Sequence, residues 1–206
     1  MRKAEHIGAN TVLVDMDGVL ADFEEPNNAI LRTHFPDIPL IVERPNFYYA
    51  ETYQHHADVG SKLYRENRRP GFFLEFPIID QALQGWQRIL DAGFTPRVCS
   101  SPLENHATVI AEKKAWLEEL FVPEFGAWVV DTAIFDRDKS GYHAFAMIDD
   151  RPTLRNSDRA VWQHIVFSKS YNADIETDYR LNGWNDPALE AILSKTHENY
   201  LANLTS

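Results

Sequence analysis

Cysteine is almost missing from this chain: Cys99 is the one thiol in 206 residues. A disulfide within the chain is therefore excluded, which fits a reducing compartment. No run of 18 apolar residues occurs, so a membrane-spanning helix is excluded as well. The first residues, Met1-Arg-Lys-Ala-Glu-His, lack the apolar stretch of a signal peptide, and the expected location is cytoplasmic. Basic residues are scarce. Twenty Lys and Arg stand against 31 Asp and Glu, a formal net charge of −11. Such a balance argues against binding a nucleic acid polymer, which takes clustered Lys and Arg. A small anionic substrate stays open, because a local basic pocket can oppose the global field. Among eight histidines only His55, His56 and His106 invite a metal reading, and no carboxylate–histidine spacing supports zinc.

What is present is an ordinary globular composition, 44% hydrophobic and 25% charged. The length suffices for one domain with a sizeable core, or a core plus an inserted lid. Apolar, strand-like segments lie at 11–15, 95–99, 127–130, 144–148 and 162–167. Helical spacing appears at Leu83, Trp86, Ile89 and Leu90, predicting a helix over 81–90 that stops at Gly93. A second helix is predicted from about Glu104 to Leu120. Strands alternating with helices predict an α/β fold: a parallel sheet with helices on both faces. Residues 23–77 break the rhythm. They hold helix-like pieces at 27–33 and 57–68, six prolines, and aromatics including Phe47, Tyr48, Tyr49, Tyr64, Phe72 and Phe73. This predicts a helical cap at 23–77, inserted into a core made of 1–22 and 78–206. Residues 168–185 read as an irregular loop, and Asp186-Pro187 as the start of a last helix.

Chemistry concentrates where strands end. The first strand runs into Asp15-Met-Asp17-Gly18. Alternate carboxylates at a strand end let one attack a bound group while the other serves as acid or base. Gly18 lets the backbone leave the sheet sharply. A carboxylate nucleophile that forms an aspartyl-phosphate is one form of covalent catalysis, so this segment predicts a phosphoryl-transfer site that needs Mg²⁺. Open α/β sheets bind ligands at the carboxyl ends of their strands. There stand Ser100 and Ser101, hydroxyls able to donate to phosphate, and the adjacent carboxylates Asp149 and Asp150. With Asp15 and Asp17 these supply enough hard oxygen ligands for Mg²⁺. A lysine is needed to offset substrate and nucleophile charge; Lys113, Lys114 and Lys139 are the candidates.

Taken together, the segments "DMDGVLADFE" (15–24), "CSSP" (99–102), "EKKAWLEELF" (112–121), "DRDKS" (136–140), "IDDRP" (148–152) and "WQHIVF" (162–167) resemble the haloacid dehalogenase (HAD) superfamily of phosphotransferases. More narrowly they resemble the 5′(3′)-deoxyribonucleotidases, with "NFYYAETY" (46–53) and "PGFF" (70–73) as weaker matches in the cap. The resemblance implies a Rossmann-like three-layer core with a small inserted helical cap. It implies Asp15 as nucleophile and Asp17 as general acid, then base. Ser100, with Ser101 beside it, Lys113 and Lys139 would hold phosphate, and Asp150, with Asp149 next to it, would bind Mg²⁺. Phe47, Tyr48 and Tyr49 would line a nucleobase pocket. A tryptophan that mammalian members carry late in the cap has only Tyr64 near its place.

Each residue also has a plainer reading. Asp149-Asp150 before Arg-Pro suits a capped loop, and Ser100-Ser101-Pro102 an ordinary turn. One of Lys113 and Lys114 is expected to be a solvated face residue. Tyr48 and Tyr49 alternate in direction if extended, so at most one of them faces a ligand. Cys99 is expected to be a buried small hydrophobe and not a nucleophile. The expected function is Mg²⁺-dependent hydrolysis of nucleoside monophosphates, deoxyribonucleotides foremost, through an aspartyl-phosphate, with no membrane or nucleic acid partner and with a homodimer left open. The rivals are a phosphatase for another small phosphate ester and a non-catalytic phospholigand-binding protein.

Overall fold

Thr11, Val12, Leu13 and Val14 are buried one after another, which marks a strand covered on both faces. They form β1 (Thr11–Val14), the centre of the sheet. The structure, a computed structural model, describes residues 5–204. After β1 come α1 (Glu24–His34), α2 (Tyr49–Thr52), α3 (Ala57–Glu66), α4 (Ala82–Asp91), β2 (Thr95–Ser100) and α5 (Val109–Leu120). Then follow α6 (Val122–Phe125), α7 (Trp128–Asp131), β3 (Ile134–Phe135), β4 (Ala146–Asp149), β5 (Gln163–Phe167), β6 (Arg180–Leu181) and α8 (Leu189–Leu204). A separate parallel pair joins Glu5–His6 to Tyr142–His143.

The main sheet runs in the order β3-β2-β1-β4-β5-β6, and every neighbouring pair is parallel. This is the α/β architecture expected of the chain. The strand order reverses between β1 and β4, and ligands of such sheets bind in the crevice beyond that point. Val14 pairs with Val98 on one side and Ile148 on the other. Asp15 therefore leaves the sheet level with the ends of β2 and β4, and its N–H still donates to Ile148 O at 2.9 Å.

Alternation along the strands divides the core. Val12, Val14, Val98, Ala146 and Ile148 join the main cluster with Trp86, Ile89, Trp116, Leu117 and Leu193. Leu13, Cys99 and Met147 point the other way and pack with Leu154 and Trp162. The chain departs after β1 and returns beside itself: Asp22 N donates to Pro77 O at 2.7 Å and Ile79 N to Leu20 O at 2.8 Å. Between those points α1, α2 and α3 gather a small cluster of Leu31, Tyr49, Tyr53, Val59 and Leu63. None of the described helices is long and apolar enough to cross a membrane.

Two sequence expectations are corrected. Residues 127–130, expected as a strand, form a helical turn, α7; the strand at this edge is the two-residue β3. Gly126 turns the chain at φ 92°, and a helical turn lets Val129 and Val130 enter the core together, outweighing the strand preference of β-branched residues. Residues 168–185, expected as an irregular loop, contain a 3₁₀ turn at Ser170–Asn172 and the edge strand β6. Both are too short to show a periodicity. The two helices at 104–120 and from 186 start later than expected, at Val109 and Leu189. Asp186 nevertheless accepts the Ala188 N–H at 2.9 Å.

Candidate active site

Lys139 is the hub of the crevice. It is almost fully buried, and its Nζ donates to Asp149 Oδ2 at 2.7 Å and stands 2.8 Å from Asp15 Oδ1. Burial works against its charge, but Asp149 and Asp15 overcome that and hold the ammonium protonated. Both Asp149 oxygens are engaged, because its Oδ1 also accepts the Arg151 N–H at 2.8 Å. Asp15 is less well served. Its buried Oδ1 accepts no well-aligned hydrogen bond. Burial, opposed by Lys139 and seconded by Asp149 and Asp17, pushes its carboxyl up to about 6. Asp150 is pushed well above the usual carboxylate range by burial and by Asp149 and Asp15 beside it.

A second lysine closes the opposite side. α5 buries Lys113 and leaves Lys114 in solvent, which settles which of the pair faces the site. Lys113 Nζ donates to Asp17 Oδ1 at 2.5 Å and to Ser100 Oγ at 3.0 Å, and lies 4.6 Å from the centre of the Phe73 ring. Ser100 is fully buried, whereas Ser101 borders the open cleft. Cys99 is buried in the smaller cluster, and burial pushes its thiol up to about 12, so it is no nucleophile near neutral pH.

Carboxylate oxygens of Asp15, Asp149 and Asp150 lie within 4.8 Å of one another. Three buried carboxylates thus share one buried ammonium, and Asp15 Oδ1 has only that ion pair to satisfy it. A hard divalent cation would offset the remaining charge, and an all-oxygen donor set suits such a cation. Asp17 is not in that group; its carboxylate turns to Lys113.

Gly18 has a role that sequence reasoning only half anticipated. Its φ is 81°, as a sharp turn requires, but a Cβ there would also lie 2.1 Å from Asp150 Oδ2. Gly18→Ala should therefore cost about 1–2 kcal/mol for the left-handed backbone and about 1–3 kcal/mol more for overpacking. Thermal unfolding checks this; a melting temperature equal to the wild type would overturn both contributions.

Above the carboxylates opens a cleft of about 420 Å³, bordered by Phe47, Tyr48, Tyr49, Tyr64, Arg44 and Arg151 among others. Burial separates the two tyrosines. Tyr48 is 52% exposed and its hydroxyl accepts from Arg151 at 2.6 Å, while Tyr49 is 7% exposed and stacks on Tyr53. Phe47 lies between Tyr48 and Tyr171, with its ring 4.9 Å from the Arg151 guanidinium. Most cationic side chains here are paired: Arg44 with Glu24, Arg137 with Glu104. Arg151 makes no ion pair among the described residues; its guanidinium donates to the Tyr48 hydroxyl and lies 4.9 Å from the centre of the Phe47 ring.

Sequence reasoning missed Arg44, Tyr171 and Asn172. Tyr171 donates its hydroxyl to Asp150 Oδ2, and Asn172 Nδ2 donates to Asp150 O at 2.7 Å. No motif or periodicity pointed to them; only the need of a buried Asp150 for neutral donors implied that such residues exist.

A family model described as 5′ nucleotidase, deoxy (Pyrimidine), cytosolic type C protein matches residues 9–196. The chain is 34% identical over 192 residues to the cytosolic-type 5′(3′)-deoxyribonucleotidase of Homo sapiens, covering 89% of this chain and 94% of that one. It is 31% identical over 183 residues to the mitochondrial 5′(3′)-deoxyribonucleotidase of Mus musculus, covering 85% and 81%. A HAD-hydrolase of Bacillus subtilis, solved bound to magnesium, shares the fold at a TM-score of 0.50 and 15% identity, over 87% of this chain and 96% of that one. The chain is a phosphoric monoester hydrolase and belongs to the family of the cytosolic type C 5′-nucleotidases.

Proposed function

We propose that this protein hydrolyses nucleoside monophosphates, deoxyribonucleotides foremost, in the cytoplasm, with Mg²⁺ and through an aspartyl-phosphate on Asp15. The observation that carries this reading is the buried Asp15–Lys139–Asp149 cluster, facing Asp17 and Lys113 at the foot of an aromatic cleft. Asp15 attacks phosphorus; its oxygen–phosphorus bond forms as the ester bond breaks. Asp17, protonated for this step, gives its proton to the departing nucleoside oxygen. It then takes a proton from the water that attacks the acyl phosphate, which releases phosphate and restores Asp15. Lys113 is poised for the phosphate, its present partners being Asp17 and Ser100. Lys139 neutralises the nucleophile, and Asp149, engaged by Lys139 and Arg151, positions that lysine. Asp15 and Asp150 would hold Mg²⁺, which supplies charge for the phosphate and nucleophile together. Ser100 steadies Lys113, and Ser101 offers its hydroxyl at the cleft wall.

Residues 23–77 act as the cap that excludes bulk water and selects the leaving group. Phe47 and Tyr48 form the nucleobase platform, with Tyr49 behind them in the cap cluster. A base stacked on an aromatic ring gains roughly 1–3 kcal/mol. Phe47→Ala or Tyr48→Ala should then lower kcat/KM for a nucleotide about 5- to 150-fold, and hardly change hydrolysis of a small aryl phosphate. Equal losses on both substrates would mean that these rings merely hold the cap together.

Phosphate release across 5′- and 3′-deoxyribonucleotides, ribonucleotides and sugar phosphates tests the function. The deoxyribonucleoside monophosphates are expected to lead. A sugar phosphate turned over faster than every nucleotide would overturn the substrate assignment and leave only the phosphatase core.

A further inference from the structure

The turn Ser170–Asn172 touches the metal-side carboxylate and the aromatic platform at once. The Tyr171 hydroxyl donates to Asp150 Oδ2. Its ring meets Phe47 edge-on at 5.5 Å, and the Arg44 guanidinium lies 4.8 Å from its centre. Arg44 in turn donates to Asn46 O at 2.8 Å and Phe47 O at 2.7 Å, so it holds the loop that carries Phe47. The turn itself is anchored elsewhere. Asn172 Nδ2 donates to Phe167 O at 2.8 Å, its Oδ1 accepts from Lys169 N at 3.0 Å, and Ser170 Oγ donates to Arg44 O at 2.8 Å. Tyr171 is thus placed by the end of β5 before any ligand arrives.

We propose that Tyr171 is a positioning residue that joins the metal ligand Asp150 to the nucleobase platform, its hydroxyl orienting the carboxylate and its ring seating Phe47 and Arg44. The inference rests on the reading of Asp150 as a metal ligand given above. A carboxylate has two oxygens, and a donor fixed on Oδ2 limits its rotation and holds the group beside Asp15 and Asp149, where a cation would bind. Outer partners of this kind orient metal ligands, and their loss costs about 10- to 100-fold in metal affinity. The two ends of the side chain act on different ligands, so substitution can separate them.

The test is Mg²⁺ binding to the full chain without substrate, by isothermal titration calorimetry, beside nucleotide kinetics at saturating Mg²⁺. Tyr171→Phe keeps the ring; it should weaken Mg²⁺ binding about 10- to 100-fold and leave the nucleotide KM unchanged. Tyr171→Leu loses the ring as well and should add a rise in KM of about 2- to 10-fold. Phe47→Leu should raise KM and leave Mg²⁺ affinity alone, and it tests the ring contact even if Tyr171→Leu does not fold. Asp150→Ala is the reference. If it binds Mg²⁺ like the wild type, the metal assignment itself falls. If it loses Mg²⁺ while Tyr171→Phe binds as tightly as the wild type, the metal reading stands and the role of Tyr171 is overturned. A KM rise in Tyr171→Phe as large as in Tyr171→Leu would refute the division between hydroxyl and ring.

Discussion

Asp15→Asn should yield a folded protein that releases no measurable phosphate. The amide has the size of the carboxylate but cannot attack phosphorus. Of the neighbouring carboxylates, Asp149 is engaged by Lys139 and the Arg151 N–H, and Asp17 is held by Lys113. Asp17→Asn should fail differently, through lost proton transfer, and keep a rate lower by about 10²–10⁴-fold. The fold should survive Asp15→Asn for an electrostatic reason. Burial raises the Asp15 carboxyl to about 6 against a usual 3.8, so stability falls as the pH rises from 3.8 to about 6 and the full penalty is present above that. Removing the charge should leave the metal-free melting temperature equal or higher at neutral pH. Lys139 keeps Asp149 as its partner and is not stranded. Wild-type phosphate release from Asp15→Asn would remove the mechanism; a collapsed melting temperature would instead assign Asp15 a structural role.

The residues around Asp15 were legible in the sequence because their chemistry coincides with strand ends. Val12, Leu13 and Val14 are a buried strand by composition alone, and two carboxylates with a glycine after such a strand have few structural uses. The acidic pair after Met147-Ile148 carries the same signal from the neighbouring strand. Lys113 against Lys114 could not be decided by the helix pattern alone, since adjacent residues in a charged helix differ only in the face they present; the family resemblance pointed to Lys113, and α5 buries that residue. What was hidden has a common cause. α7, β3, β6 and the turn at Ser170–Asn172 are two to four residues long, too short for periodicity, and tertiary contacts choose their conformation. Tyr171 was invisible for that reason. Arg44 was hidden because an arginine between Glu43 and Pro45 reads as a solvated turn residue, whereas here it is buried beneath Tyr49, with Glu24 as its counter-charge.

Withdrawal of divalent metal should stop turnover, and Mg²⁺ should restore it. The argument is one of charge. Asp15, Asp149 and Asp150 lie within 4.8 Å of one another, and among the described residues Lys139 is the buried cation paired with them. Without a metal, burial and mutual repulsion drive Asp15 and Asp150 toward protonation. Without the cation, among the described residues only Lys139 and Lys113 offset the meeting of an anionic carboxylate with an anionic phosphate, so the first step should stall. The same imbalance predicts a stability effect that needs no substrate. A ligand that binds only the native state adds about 2.7 kcal/mol at a hundred times its dissociation constant. In a chain of this size each kcal/mol moves the melting temperature by about 2–4 °C, so saturating Mg²⁺ should raise it by roughly 5–11 °C. Asp150→Ala should abolish that rise, since it deletes one of the two carboxylates free to bind. Asp149→Asn should keep much of it, because Asp149 already spends both oxygens on Lys139 and the Arg151 N–H. A shift that survives Asp150→Ala but vanishes in Asp149→Asn would exchange the roles of the two aspartates. Full turnover after exhaustive chelation would show that Lys139 and Lys113 alone carry the charge of the reaction.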